Sequence, residues 1–349
     1  MNRILLFSLL LLAACSPGET ATPPSTEPQT ITILTHDSFS VSEEVVKSFE
    51  EANNARVAFL QSGDAGAVLN KAILTKDAPL ADVLFGVDNT FLSRALQGDI
   101  FEAYESPALS TIPDGFKLDP SNRALPVDYG DVCINYDKAY FADNNLAVPQ
   151  SLEDLTKSEY EGLLVVENPA TSSTGLAFLL ATVAHFGDSF TDYWQSLKDN
   201  GVVVVDGWET AYYTNFSGSS GRGPQPMVVS YGTSPAVEVV FAEKPMDEAP
   251  TASILGPDTC FRQIEFVGIL KGTQQRALAE KFVDFMLSKQ FQEDVPLQMF
   301  VYPVLPDAVF PDQFTKYAQA PEQPAALAPD VIAENRDAWI QAWTDVVMK

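Results

Sequence analysis

The stretch Thr30-Ile31-Thr32-Ile33-Leu34-Thr35-His36-Asp37-Ser38-Phe39 sets the reading of this chain. Its β-branched residues predict a strand over 30–35, and the polar step His36-Asp37-Ser38 stands at the carboxyl end of that strand. Outward from it, Ser40 and Glu43 have capping-box spacing, and Val41, Val45, Phe49 and Ala52 mark one face of a helix. Residues 56–60 read as a strand, and 65–75 as a helix that begins after Gly63-Asp64. A strand over 82–87 and a short helix around 91–96 follow. This βαβαβα order predicts a mainly parallel sheet covered by helices.

A second set repeats the alternation. Residues 163–167 are a strand and 174–186 a helix; 202–206, four valines and an aspartate, read as a buried strand. A helix is expected over 209–216, a strand over 227–231 and a long β-prone segment over 260–270. Residues 274–287 are amphipathic, with Leu278, Phe282, Phe285 and Met286 on one face. A helix over 330–347 closes the chain, with Trp339 and Trp343 four residues apart. Two α/β units predict two lobes with a cleft between them, and such folds place ligands at the carboxyl ends of parallel strands.

The composition agrees with a soluble globular protein: 349 residues, 46% apolar and 19% charged. That apolar content excludes a disordered chain, and no apolar run after the N-terminus is long enough to span a bilayer. The formal charge of −26 argues against nucleic acid, whose phosphates it would repel, and permits a cationic ligand. Residues 1–14 read as a signal peptide: a short basic start, an apolar stretch, then Leu12-Ala13-Ala14 before Cys15. Small residues directly before Cys resemble the bacterial lipobox, which places lipidation on Cys15 and a flexible tether over 15–29. Cys133 and Cys260 remain, either as two buried thiols or as a disulfide made in an oxidising compartment.

Catalytic signatures are missing from the sequence. The two histidines, His36 and His185, lie in no cluster with zinc spacing, and no Gly-x-Ser-x-Gly elbow, P-loop or dinucleotide fingerprint occurs. His185, at the end of a predicted helix, reads as a surface or capping residue. The expectation is a binding protein with no catalytic residue, metal or cofactor.

Four stretches at element ends carry residues that plain loops do not need: 30–39, 168–175 (Asn-Pro-Ala-Thr-Ser-Ser-Thr-Gly), 206–212 (Asp-Gly-Trp-Glu-Thr-Ala-Tyr) and 230–236 (Ser-Tyr-Gly-Thr-Ser-Pro-Ala). Trp208 offers an aromatic face just after a buried strand, and Tyr231 a second wall or a hydroxyl. Gly232 permits close approach of backbone, and Thr233 and Ser234 add donors. Residues 171–174 place four hydroxyls at the start of a helix, where free amides and the helix dipole favour an anion.

Together with 82–89 and Tyr302-Pro303-Val304, these stretches resemble the thiamine-binding proteins of bacterial ABC importers, from about Thr30 to the C-terminus. The resemblance implies the two-lobed type II periplasmic-binding-protein fold, with 30–127 plus 266–349 as one lobe and 128–265 as the other. Cys133 and Cys260 then fall near the same crossovers, which implies a disulfide. It also implies that Asp64-Ala65, Ser172, Ser173 and Tyr231-Gly232-Thr233-Ser234 contact the ligand, including its phosphate when present, and that Trp208 stacks on it. Ala65 replaces a family Gly, and Phe300 stands where relatives can carry a stacking Trp. Asp37 is expected to face the aminopyrimidine or the cation. The implied partners are thiamine or its phosphates and an ABC permease with its ATPase. The implied state is a lipid-anchored extracytoplasmic monomer, in the periplasm or on the outer face of the cell membrane. Two rivals stand beside it: a ferric-iron binder using Tyr212, Tyr213 and His36, and a thiaminase-like enzyme using Cys133 as nucleophile. Residues 217–225 read as a lengthened connection.

Overall fold

The computed structural model describes residues 27–219 and 223–349. The expected signal peptide, Cys15 and most of the expected tether lie outside them. Eleven strands among the described residues form one sheet. They are β1 (Gln29–Thr35), β2 (Ala55–Gln61), β3 (Val83–Asp88), β4 (Phe101–Glu102), β5 (Leu125–Asp137), β6 (Leu164–Glu167), β7 (Val203–Val205), β8 (Met227–Tyr231), β9 (Thr251–Ile254), β10 (Phe261–Leu270) and β11 (Tyr302–Pro303). The main path runs β2-β1-β3-β10-β5-β8-β6-β7.

β1 is parallel to β2 and β3, and β6 is parallel to β7 and β8. Between these groups stand β10 and β5, antiparallel to each other and to their outer neighbours. The sheet is therefore mixed where a mainly parallel one was expected. The chain crosses from one parallel group to the other along β5 and returns along β10, so the two passages run in opposite directions. A two-lobed α/β fold results, with β5 and β10 as the shared seam. A disulfide joins Cys133 in β5 to Cys260, the residue before β10.

Each parallel group buries apolar faces against helices. Ile31, Ile33 and Phe85 pack with Phe49 of helix Glu43–Asn53 and Phe282 of helix Arg276–Met286. In the other group the helix Ser173–Phe186 is buried along most of its length. Trp343 of the last helix, Pro329–Val347, meets Trp194 edge to face at 5.6 Å. That helix packs on both Phe190–Asp199 and Leu92–Gly98, so it bridges the two groups.

Three local expectations give way to tertiary contacts. The Ser40–Glu43 capping box does not form: Ser42 is the N-cap, its amide donates to Asp294 Oδ2 (2.8 Å), and Ser40 Oγ donates to Gln298 Oε1 (3.0 Å). β7 is half-buried, because among the described residues it is the sheet edge and pairs with β6 alone. Residues 210–215 wind as a π-helix, Thr210–Asn215, which turns Ala211 and Tyr212 inward. No helix among the described residues is long and apolar enough to cross a membrane.

Candidate functional site

Loops at the carboxyl ends of β1, β7 and β8 enclose a cavity of about 340 Å³, within the usual size of small-molecule sites, about 300–1,000 Å³. Six rings line it: Phe39, Trp208, Tyr213, Tyr231, Phe241 and Phe300. Four carboxylates join them, Asp37, Asp64, Glu209 and Glu265, and His36 is the only basic side chain among the lining residues.

Asp37 and Asp64 are fixed by the backbone around them. Asp37 Oδ1 accepts from the Gly63 amide (2.8 Å), and the Asp37 amide donates back to the Gly63 carbonyl (2.9 Å), knitting the end of β1 to the end of β2. Asp64 is the N-cap of helix Ala65–Leu74, with Oδ1 taking the Ala65 amide at 2.6 Å. The same carboxylate reaches the other group of strands. Its Oδ2 accepts from the Trp208 amide at 3.0 Å, and Oδ1 lies 3.4 Å from the Ser173 amide. Beside it, the Gly66 amide donates to the Thr171 carbonyl at 3.1 Å. Asp64 thus clasps the two sides of the cleft.

Trp208 is 8% exposed, more buried than its Gly207 and Glu209 neighbours suggest. Tyr212 stacks flat on it at 5.0 Å and 17°, and Nε1 donates to Ser230 Oγ at 2.9 Å. Ser230 Oγ is in turn 2.9 Å from Ser234 Oγ. Thr233 Oγ1 donates to the carbonyl of Phe300, whose φ is +63°. Such a backbone is uncommon for an aromatic residue, and the Thr233 bond helps to hold it. Tyr231 donates to Gln263 Oε1 at 3.0 Å.

The cavity therefore gathers Asp37, Asp64, Ser173, Trp208, Tyr231 and Phe300 of the expected residues. Ala65, Ser172, Gly232, Thr233 and Ser234 do not line it. Ser172 Oγ turns to Thr174 Oγ1 (2.9 Å), and Ala65 is buried behind Asp64. The Gly232 amide and carbonyl bond to Asp131 and Gln319, and a Cβ there would overlap the Gln319 carbonyl oxygen. Gly232 thus serves a close backbone approach to a neighbouring strand and loop. Thr233 and Ser234 brace the aromatic wall from behind, so their hydroxyls are spent on Phe300 and Ser230. Sequence reasoning missed Glu209, Glu265, Phe39 and Phe241 as wall residues. Phe39 and Glu209 stood inside the stretches 30–39 and 206–212, Glu265 was the one acid of the β-prone segment 260–270, and Phe241 carried no signal.

Electrostatics follow from the crowding of acids. Burial pushes the Glu209 carboxyl up, Asp37 and Asp64 add to the push, and His36 opposes it. Burial alone would lower His36, but Glu265 at 3.4 Å, with Asp64 and Asp37, raises it above the usual imidazole value. The Tyr212 hydroxyl donates to Glu238 Oε1 at 2.7 Å, and its ring stands at 88° to that of Tyr213. Tyr212 is thus core and only Tyr213 lines the cavity. The Cys133 sulfur is bonded to Cys260 and offers no thiolate nucleophile.

Comparison with known proteins agrees with this arrangement. Residues 78–326 match the family model described as bacterial extracellular solute-binding protein. The thiamine-binding periplasmic protein of Salmonella typhimurium is 30% identical over 346 residues, 98% of each chain. A solved structure titled periplasmic thiamin binding protein superposes with a TM-score of 0.81 at 28% identity, covering 92% of this chain and 97% of that one. A ferric binding protein from Campylobacter jejuni shares the fold alone: TM-score 0.72, 19% identity, 90% of this chain and 99% of that one. Family match, full-length likeness and two-lobed architecture coincide, and the chain belongs to the bacterial extracellular solute-binding proteins, as a relative of the thiamine-binding periplasmic proteins.

Proposed function

We propose that this protein captures thiamine outside the cytoplasm and hands it to an ABC permease driven by its ATPase, without catalysing any reaction on it. One observation carries the reading: a cavity walled by six rings holds four carboxylates against a single imidazole. A flat, permanently cationic heterocycle gains from both features, since a ring face contributes about 2 kcal/mol to a desolvated cation. The names of the relatives at 28–30% identity support the same ligand. In this reading 30–127 plus 266–349 form one lobe and 128–265 the other, and they close over the ligand with Asp64 as clasp. Trp208, Tyr231 and Phe300 pack on the ligand, Asp37 and Asp64 face its polar groups, and Ser173 offers a hydroxyl to the hydroxyethyl or phosphate arm. Cys15 carries the lipid that keeps the monomer at the cell envelope.

Native mass spectrometry of the purified protein, followed by calorimetric titration with thiamine, tests the proposal. A co-purifying mass equal to thiamine or one of its phosphates, and saturable binding at one site, are expected. Absence of thiamine binding by a folded protein overturns the assignment.

A further inference from the structure

The cavity floor holds more acid than a single cation needs. Glu265 stands on β10 opposite Asp88 of β3 on one side and Asp128 of β5 on the other. Residues directly opposite across antiparallel strands share a face, so three carboxyls lie abreast, an arrangement that repels when all are ionised. Asp88 is held by Thr90 Oγ1 (2.7 Å), by the Thr90 and Phe91 amides and by Gln263. Among the described residues neither Asp128 oxygen meets an N–H or hydroxyl donor, and the group it faces is Glu265. Glu265 alone of the three lines the cavity, and the basic group beside it is His36, Nε2 to Oε1 3.4 Å.

His36 is fixed in that place. It is 6% exposed, its Nδ1 lies 3.2 Å from Ser38 Oγ, and its ring rests tilted on Phe85 at 5.7 Å. A Cβ on Gly86 would overlap the imidazole Cδ2, so the glycine leaves the room the ring fills. The groups facing it are all acidic: Asp37 from its own turn, Asp64 from the helix Ala65–Leu74, Glu209 from the loop after β7, and Glu265 from β10. Asp128 and Asp88 act on it through Glu265.

We propose that His36 is the resident counter-ion of Glu265, and that a cationic ligand seating against the same carboxylate drives the imidazole proton into solvent. This deepens the reading of the cleft as a thiamine site and rests on it. The permanent charge of the ligand replaces the charge of the imidazolium, so the cavity keeps one cation against Glu265 and bulk buffer takes up one proton. The acids hold His36 charged in the empty site, in accord with its raised titration. Burial and Glu265 together hold Asp128 protonated, so it donates to Glu265 and leaves that group the anion. The sign follows. Binding that releases a proton strengthens as pH rises, by up to about tenfold per pH unit below the free His36 pKa, and levels off above it.

The experiment is calorimetric titration of the full protein with thiamine at about pH 6.5 in two buffers of different ionisation heat. It is combined with NMR of the histidine ring protons. The chain has only His36 and His185, so both signals are assignable and His185, paired with Asp258 and Glu153, is the internal control. The expected result is a buffer-dependent heat equal to release of close to one proton, with the His36 resonance moving to its neutral position on saturation and His185 unmoved. Equal heats in both buffers with an unmoved His36 overturn the inference while leaving thiamine binding established. Absence of any binding heat overturns both. His36→Gln should flatten the dependence of affinity on pH. A slope that survives in His36→Gln and disappears in Asp88→Asn assigns the proton to Asp88, whose carboxyl burial pushes up to about 7, and overturns the assignment to His36. Should His36→Gln not fold, the wild-type buffer pair and NMR shift decide alone.

Discussion

Trp208 shows what one residue contributes at this site. Its ring is covered on one face by Tyr212, anchored at Nε1 by Ser230 and left to line the cavity with what remains. Trp208→Ala should cost about 2–4 kcal/mol of thiamine binding, the scale of a buried aromatic hot spot. At about 1.4 kcal/mol per decade that is roughly 30- to 1,000-fold in affinity. Calorimetry on the variant, with circular dichroism to confirm its fold, measures it; unchanged affinity would remove Trp208 from the site. Ser230→Ala probes the anchor instead. It leaves a buried indole N–H without its acceptor, so unfolding free energy should fall by about 1–3 kcal/mol, read from urea denaturation. The ring itself was legible from its neighbours in sequence. Its anchor was not, because Ser230 reaches it from β8, 22 residues further along the chain.

At the scale of elements, the amino end of helix Ala65–Leu74 is the working part. Its cap, Asp64, serves its own helix through Ala65 and the opposite side of the cleft through Trp208 and Ser173. Hydrogen bonds to a charged acceptor are worth about 1.5–3 kcal/mol each, and less when the acceptor is neutral. Asp64→Asn keeps the shape and removes the charge, so thiamine affinity should drop by about 10- to 100-fold, since 1.4–2.8 kcal/mol is lost from clasp and cation together. Small-angle scattering should record a more open average shape with ligand present. A variant as closed and as tight as the wild type would leave Asp64 as a helix cap only. The clasp also alters the anion site expected at residues 171–174. The Ser173 amide points at a carboxylate and Ser172 at Thr174, so of these hydroxyl residues only Ser173 and Thr174 border the cavity.

The whole molecule depends on its seam. β5 and β10 carry both passages between the lobes, and the Cys133–Cys260 disulfide ties them across 127 residues of sequence. Removing a disulfide that closes so long a loop typically costs about 2–5 kcal/mol. Cys133→Ala with Cys260→Ala should therefore unfold at lower urea, and thiol reagent should shift the wild type the same way while leaving the double variant unmoved. A double variant as stable as the wild type would deny the bond that role. At the other end of the chain, Cys15→Ala should move the protein from the membrane fraction to the soluble one in a lipoprotein-processing host, checked by fractionation and intact mass. An unlipidated wild-type protein from that host would refute the anchor.

Sequence alone determined the alternation of strands and helices, the two α/β units and the aromatic and polar stretches at their ends. Those properties reside in local periodicity, turn chemistry and capping, which involve neighbours in the chain. Asp37, Ser173, Trp208 and Tyr231 could be named because each stands at the end of a strand or the start of a helix, and Asp64 and Phe300 because the family resemblance marked them. Tertiary structure decided the rest. It set the antiparallel seam, because the pairing of β5 with β10 joins segments more than 120 residues apart. It turned Ser172, Thr233 and Ser234 away from the cavity, because their hydroxyls found Thr174, Phe300 and Ser230 first. And it placed Glu265 between Asp88 and Asp128 beneath His36, a charge cluster set by the register of three strands, which no spacing within one segment records.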